Sequence, residues 1–240
     1  MDFGLRRITN TTLLDHDGLI KKGNFLINKE GEYSISNGDE DVIETIDGSN
    51  RLVTRSLQNW HTHMAMILNR SMGEGLPLEE WLQKSIWPVE KKLTREFVEI
   101  GTKAAAAELI STGTTFACDM YFHPDVVGKV ISATGLRAII CGPITDFPFT
   151  SDEQDSGNAL KQVKSLISQG SSTPERVEYG IGNHSVYACS EETLCTASEI
   201  SKQTGCKLSI HTSETRQEVA DCHATTGTVS YTHLTLPTKA

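Results

Sequence analysis

Two histidines separated by one residue are the first feature of this 240-residue sequence that could do chemistry. His61 and His63 follow a predicted strand that begins near Leu57. Because side chains alternate along a strand, both imidazoles face one side and Thr62 faces the other. Two imidazoles directed into one cavity can bind a divalent ion. A polar rim or a hydrogen-bonded pair in the core is the alternative.

Further polar residues stand at the ends of other predicted strands. These strands cover 114–120, 177–181 and 206–210, and the residues are Asp119, His184 and His211. In a barrel such strand ends converge on one mouth, and imidazole nitrogens suit zinc, with iron, manganese or nickel as alternatives. The histidines therefore predict one divalent metal ion, with zinc favoured. Taken singly, His211 could be a core histidine, His184 a helix-entry residue and Asp119 a metal ligand or a hydrogen-bonding strand end.

The elements that must position these residues follow two different patterns of secondary structure. Residues 1–54 contain short β-like runs at 5–12, 23–28, 42–46 and 51–57, separated by turns such as Asp47-Gly48. From residue 55 onward, strands alternate with helices predicted over 94–111, 124–135, 159–169 and 190–204. In the first of these helices, capped by Thr94, one face is predicted to carry Phe97, Ile100, Ala104 and Ala107. The alternation predicts an α/β fold with a parallel sheet, either open or closed into a barrel.

Composition excludes several classes of protein. The chain has 31 acidic residues against 22 Lys plus Arg, a net charge of −9, and no basic cluster that would bind nucleic acid. It has no apolar run of membrane-spanning length and no secretion signal, so we expect a cytoplasmic protein without a membrane partner. Its six cysteines are dispersed along the chain, which predicts reduced thiols rather than disulfide bonds. Gly180 and Gly182 alone are weak support for a dinucleotide site.

Longer motifs surround the same histidines. Residues 58–82 contain His61-Thr62-His63, Asn69-Arg70-Ser71-Met72-Gly73 and Leu76-Pro77-Leu78-Glu79-Glu80-Trp81-Leu82. Further motifs are Trp87-Pro88-Val89-Glu90, Cys118-Asp119-Met120-Tyr121-Phe122-His123, His184-Ser185-Val186-Tyr187 and His211-Thr212-Ser213-Glu214. Over roughly residues 1–227 the chain resembles the amidohydrolase superfamily. Within it, the chain is most similar to the methylthioadenosine/S-adenosylhomocysteine deaminases.

The resemblance implies a role for each matching residue. The metal ligands would be His61, His63 and His211, the ribose hydroxyls would be held by Glu90, the substrate would contact His184, and the purine ring proton would be handled by Glu214. The implied reaction is attack of metal-activated water on the amino-bearing ring carbon, with release of ammonia. Without the resemblance, Glu90 beside Lys91 and Lys92 would be a solvated helix-end carboxylate. Deamination of guanine, cytosine or triazine rings and a catalytically inert fragment with a partial metal site are the alternatives.

The resemblance also implies the domain organisation. It predicts a small β-sandwich unit over 1–54 and a partial TIM-type (β/α) barrel over 55–227. Because a complete barrel takes about 250 residues, we expect about five of eight strands, without the sixth-strand histidine and eighth-strand aspartate of the family. Residues 228–240 have no helical period and resemble translated sequencing-adapter read-through, so we exclude them from the functional interpretation. Family members often carry an arginine where Cys141-Gly142-Pro143 stands here, and they often self-associate.

Overall fold

A computed structural model describes residues 4–146, 156–169 and 176–230 of the chain. Contacts within the chain divide it into two units, Met1–Leu57 and Gln58–Ala240. The predicted division into 1–54, 55–227 and 228–240 places its first boundary close to this one. Most of the segment set apart at the C-terminus, residues 231–240, lies outside the described residues.

The first unit is a mixed β-sheet. Its strands are β1 (Arg6–Leu14), β2 (Ile20–Ile27), β3 (Tyr33–Ile35), β4 (Glu44–Asp47) and β5 (Leu52–Val53). Strand β1 pairs antiparallel with β2 and parallel with both β4 and β5, and β2 pairs antiparallel with β3. The described strands thus form one sheet where the sequence predicted a small sandwich. The sequence did not predict β3, which has only three residues.

The second unit alternates strands with helices, as predicted. Its elements are β6 (Leu57–Thr62), a 3-10 helix (Met64–Asn69), α1 (Leu78–Trp81), a π-helical turn (Leu82–Ile86), α2 (Trp87–Glu90), α3 (Arg95–Ser111), β7 (Thr114–Asp119), α4 (Pro124–Thr134), β8 (Arg137–Ile144), α5 (Ser156–Ser168), β9 (Val177–Ser185), α6 (Glu191–Thr204), β10 (Leu208–His211) and α7 (Arg216–Thr226). The strand order is β10-β9-β8-β7-β6. Strands β7 to β10 pair in parallel, which confirms the α/β class.

Capping residues set the ends of these helices where the sequence predicted them. Thr94 Oγ1 accepts a hydrogen bond from the Phe97 amide, and Ser190 caps α6 in the same way through Thr193. Gly135 and Gly205 follow α4 and α6 with φ of +86° and +74°, the left-handed conformation that glycine adopts readily. Local sequence therefore determines where these helices begin and end.

The buried face of α3 differs from the prediction. The structure buries Val98, Gly101, Thr102, Ala105 and Ala106, whereas Ile100 is 51% exposed and Ala104 and Ala107 are exposed. The prediction of a face formed by Phe97, Ile100, Ala104 and Ala107 was therefore wrong. Close packing against the 3-10 helix explains the difference, because that contact requires small residues rather than large apolar ones.

Gly101→Ala tests this close packing. A methyl group at Gly101 would lie 2.5 Å from the Ala65 carbonyl oxygen and 2.8 Å from Ala65 Cα. Because backbone cannot give way as a flexible side chain does, we expect a loss of about 1–3 kcal/mol in unfolding free energy, despite the better helix propensity of alanine. Urea unfolding measures it. The exposed variant Lys103→Ala should change stability by less than about 0.5 kcal/mol, and a stabilised Gly101→Ala variant would refute the packing argument.

No helix among the described residues is both long and apolar enough to cross a bilayer. All six cysteines are free thiols. The largest apolar cluster lies in the second unit, where the 3-10 helix, α3 and α4 cover strands β7 to β9. This core supports the end of the sheet at which the candidate site lies.

Candidate metal centre and cleft

Three histidines from the two edge strands of the second sheet meet at the C-terminal end of those strands. His61 lies in β6, His63 follows that strand, and His211 ends β10; their ligand atoms lie within 4.8 Å of one another. Three strands separate β6 from β10 in sheet order. In a flat sheet with about 4.8 Å between strands, these edges would be about 19 Å apart. The sheet therefore curls until its edges approach, as in a barrel.

Backbone carbonyl groups orient two of the imidazole rings. His63 Nδ1 lies 2.5 Å from the Met120 oxygen, and His211 Nδ1 lies 2.6 Å from the His184 oxygen. Because a carbonyl oxygen can only accept a hydrogen bond, Nδ1 must carry the proton in both rings. This arrangement leaves Nε2 of each ring for the site, as is usual for histidines that bind metals.

The spacing of these nitrogens fits a tetrahedral metal ion. His63 Nε2 and His211 Nε2 are 3.3 Å apart, and a shared proton or a shared cation is needed to offset the repulsion between their lone pairs. Two nitrogens bound tetrahedrally to zinc at 2.0–2.1 Å would be separated by about 3.4 Å. The three histidines therefore fit a zinc-type ion.

The ring environment favours the neutral form that binds metals. Burial lowers the pKa of His63 to about 4 and the pKa of His184 to about 3. Burial and the neighbouring His211 also lower the pKa of His61. His63 and His184 are therefore neutral near pH 7, and the lone pair of His63 Nε2 is available without loss of a proton.

An open cleft lies over this centre. Its polar lining consists of His63, His184, His211, Glu90 and Glu214. Its apolar and aromatic lining consists of Met66, Leu78, Trp81, Leu82, Ile86, Trp87, Met120, Tyr121, Phe122, Pro143 and Tyr187. The described lining thus contains every predicted site residue except His61, and it contains neither Lys nor Arg. Such a cleft suits an uncharged ligand with a flat ring system.

A π-helical turn keeps one row of side chains directed at the cleft. Leu78, Leu82, Ile86 and Glu90 are spaced by four residues, and all four line it. In an α-helix with 3.6 residues per turn, each step of four overshoots a full turn, so the row would rotate away. The wider turn at Leu82–Ile86, closed by the bond from the Trp87 amide to the Leu82 oxygen, offsets that rotation.

Glu90 is buried at the end of this row, with 8% exposure. Burial raises the pKa of Glu90 to about 7, and the nearby phenol of Tyr121 opposes the shift without forming a hydrogen bond of good geometry. The side chain is therefore not the solvated helix-end carboxylate that Lys91 and Lys92 alone would indicate. It can accept hydrogen bonds when ionised and donate one when protonated.

Glu214 lies in the loop after β10 and lines the cleft. Its Oε2 accepts a hydrogen bond from the Tyr187 hydroxyl at 3.0 Å, and the residue is exposed. Burial and the charge of Glu214 raise the pKa of Tyr187, so the phenol keeps its proton and remains a donor. A carboxylate held by one neutral donor keeps one oxygen free for proton transfer.

Asp119 ends β7 and faces away from the cleft. Its Oδ1 accepts a hydrogen bond from the Met64 amide at 2.5 Å, and it is neither in the histidine group nor in the cleft lining. Its interpretation as a hydrogen-bonding strand end is confirmed. Burial raises the pKa of Asp119 to about 7.

The sequence indicated no role for Tyr121 and Tyr187, although both lie inside the motifs that contain Asp119 and His184. Tyr121 comes two residues after a strand end, and Tyr187 comes three residues after His184. Aromatic residues just beyond strand ends that already carry polar groups are a signal that could have identified them.

The described part of the second unit defines the class of protein. It is of the (β/α) barrel type, with histidines together at the C-terminal ends of its strands. The model of the amidohydrolase family matches residues 52–239. The chain belongs to the amidohydrolase family. That match also covers most of the segment 228–240 that the sequence analysis set apart.

Similar proteins are deaminases of nucleosides by name. The chain is 36% identical over 217 residues to the 5'-deoxyadenosine deaminase of Methanosphaera stadtmanae, covering 89% of the chain and 50% of the relative. It is 35% identical over 199 residues to the 5-methylthioadenosine/S-adenosylhomocysteine deaminase of Thermoanaerobacter pseudethanolicus, covering 82% and 46%. The chain thus spans about half the length of the curated relatives it matches.

A solved structure is similar over nearly the whole chain. It is an adenosine deaminase from Xanthomonas campestris with bound zinc, with a TM-score of 0.87 and 26% sequence identity. The similarity covers 95% of this chain and 54% of that one. The family and the fold predicted from the sequence motifs are therefore confirmed.

Proposed function

We propose that this chain carries the metal-binding half of a hydrolytic deaminase for adenosine-type nucleosides. The observation that carries the proposal is the pair of anchored rings, His63 and His211, whose free nitrogens face each other beside His61 in a cleft bordered by two carboxyl groups. The deaminase names of the relatives support the same reaction.

Each site residue has a part in this proposal. The ligands are His61, His63 and His211, and the metal, most simply zinc, supplies Lewis acidity and a water nucleophile at neutral pH when bound. Glu90 accepts hydrogen bonds from the ribose hydroxyls, and His184 contacts the substrate. Glu214 takes a proton from the attacking water and passes it to the ring nitrogen next to the amino-bearing carbon, as a carboxyl within hydrogen-bond reach can do. The amino group takes up the second proton of the water and leaves as ammonia, and the ring carbon keeps the oxygen.

The charge of the cleft favours some nucleosides over others. The described lining has two carboxyl groups and no Lys or Arg. Cys141-Gly142-Pro143 stands where the resemblance leads us to expect an arginine. A negatively charged substituent on the sugar would lose its water there without gaining a cationic partner. Methylthioadenosine, with an apolar substituent, should therefore be a better substrate than S-adenosylhomocysteine, whose zwitterionic substituent includes a carboxylate that would lack a cationic partner in this lining.

Ammonia release by the zinc-loaded protein tests the proposal. Methylthioadenosine, S-adenosylhomocysteine, adenosine, 5'-deoxyadenosine and guanine form the substrate panel. The expected result is turnover of the adenosine-type compounds, with kcat/KM for methylthioadenosine at least about tenfold above that for S-adenosylhomocysteine. Guanine as the best substrate would overturn the substrate class. Absence of turnover would favour the inert-fragment alternative for this chain.

Glu90→Gln should change how stability depends on pH. The raised pKa of about 7 means that folded Glu90 keeps a proton that the unfolded chain loses above about pH 4.3. Unfolding free energy therefore falls as pH rises from about 4.3 to 7, because the folded state binds more protons there. Glutamine has no carboxyl group to ionise in the buried site, so the variant should be more stable than the original chain above pH 7, by about 3–4 kcal/mol.

Urea unfolding at pH 4, 6 and 8 measures this difference. The two proteins should differ least at pH 4, where Glu90 is mostly protonated in both states. The exposed Glu79→Gln variant serves as a control and should show the same pH dependence as the original chain. Parallel pH profiles for Glu90→Gln and the original chain would contradict the assignment of a buried carboxyl with a raised pKa.

The cytoplasmic location, the self-association and the roles given to individual site residues stay predictions.

A further inference from the structure

Asp119 is a buried acidic residue at the end of β7, and its side chain is fully buried. Among the residues that the structure describes, it has no charged partner and its Oδ2 has no hydrogen-bond partner. Within the same part of the chain, the Met64 amide is its one hydrogen-bond donor, at 2.5 Å from Oδ1. Burying a carboxyl group with an unpartnered oxygen costs free energy, so fold stability alone does not explain this residue.

Strand alternation places Asp119 outside the cleft. Cys118 and Met120 pack in a cluster with Cys141, whereas Ala117 belongs to the large core beneath the helices. Asp119 therefore points to the same side as Ala117, and it contacts neither substrate nor metal. Any effect on the site must act through the backbone that Asp119 binds.

That backbone is the segment that carries the metal histidines. Three hydrogen bonds join Asp119–Met120 to Thr62–Met64. Asp119 Oδ1 accepts from the Met64 amide, the Met120 amide donates to the Thr62 oxygen at 3.0 Å, and His63 Nδ1 donates to the Met120 oxygen. The end of β7 thus binds the backbone on both sides of His63, at Thr62 and Met64, and also binds its ring.

Of these three hydrogen bonds, the one to Asp119 is accepted by an acidic side chain. No residue of the 3-10 helix can serve as the acceptor for the Met64 amide in its place. Met64 is 2% exposed and begins that helix, where the first amides lack acceptors within the helix. His63 stands at the capping position but provides no side-chain cap, because its ring is bound to Met120. Without Asp119, the Met64 amide would be buried without a partner, and the turn would have to shift to satisfy it.

We propose that Asp119 is a positioning residue for the metal centre. By accepting the Met64 amide, its carboxyl group fixes the turn that follows His63 and so the direction of His63 Nε2. The inference rests on the proposed metal centre, but the orientation of the ring can be measured in the metal-free protein.

Cobalt titration of the full chain tests the effect on the metal centre. Asp119→Ala removes the acceptor, whereas Asp119→Asn keeps an oxygen at the same place without charge. We expect Asp119→Ala to weaken Co²⁺ binding about 10–100-fold, with altered intensity of the visible bands, and Asp119→Asn to stay within about threefold of the original chain. Cys118→Ala, next to it on the same strand but facing the other side, should bind Co²⁺ like the original chain.

The outcomes separate positioning from other roles. Unchanged affinity and bands in a folded Asp119→Ala variant would overturn the proposal, and so would an Asp119→Asn variant as weak as Asp119→Ala, since charge would then be the cause. Circular dichroism checks folding. If Asp119→Ala does not fold, Asp119→Ser carries the same expectation, because its shorter side chain does not reach the Met64 amide.

Nuclear magnetic resonance of the metal-free chain provides a second test. The Nδ1 proton of His63 should be protected from exchange with water in the original chain and in Asp119→Asn. In Asp119→Ala this protection should be lost. If the original chain binds no cobalt, the metal centre fails while this signal still decides the positioning role. A protected His63 proton in Asp119→Ala would overturn that role.

Discussion

Alanine at position 63 is expected to lower the affinity for Zn²⁺ or Co²⁺ by at least about a hundredfold and to remove deaminase activity. His63 Nε2 faces His211 Nε2 at 3.3 Å, so its loss leaves two of three histidines in the group. If the metal contributes about 4 kcal/mol to transition-state stabilisation, activity should fall at least about a thousandfold. Calorimetric metal titration and the ammonia assay measure both effects.

His223→Ala is the matched control for this variant. His223 lies on an exposed part of α7 and is not in the histidine group, so its removal should leave metal affinity and activity unchanged. Circular dichroism must show that His63→Ala is folded, because the variant also loses the bond to the Met120 oxygen. A folded His63→Ala protein with the original affinity would disprove the histidine centre.

The histidine pair shows how far local pattern can predict the site. The period-two rule placed His61 and His63 on one side of β6, and their ligand atoms do lie together. Their approach to His211 depends on the curl of a five-stranded sheet, which no local pattern encodes. The sequence indicated convergence through the general geometry of barrels and through family resemblance, and the roles of individual residues came from the resemblance.

Two features show where local pattern fails. Apolar spacing predicted the wrong face of α3, because close helix packing selects Gly101 and Ala105 rather than the larger Ile100. Glu90 looked solvated beside two lysines, but a π-helical turn directs it into the cleft. Side-chain size and charge predict burial only when the packing partner and the helix type are the ones that the pattern assumes. The packing partner differed for α3, and the helix type differed before Glu90.

Glu214→Gln is expected to remove the proton transfer while leaving the metal centre intact. Glutamine has the same shape and can still accept the hydrogen bond from Tyr187, but it cannot act as an acid or base at neutral pH. General acid–base catalysis by a side chain typically contributes about 10²–10⁴-fold, so kcat should fall by that factor. Metal affinity should not change, and the ammonia assay together with metal titration separates the two properties.

Tyr187→Phe isolates the hydrogen bond from the carboxyl group that it orients. This variant keeps Glu214 ionisable and removes one donor, which should reduce kcat about tenfold at most, in line with about 1 kcal/mol for one hydrogen bond. If Glu214→Gln retained kcat within threefold, another group would have to carry the proton. His184 is then the next candidate, because it lines the same cleft. If Tyr187→Phe were as severe as Glu214→Gln, the orientation of Glu214 rather than its proton would be the main requirement.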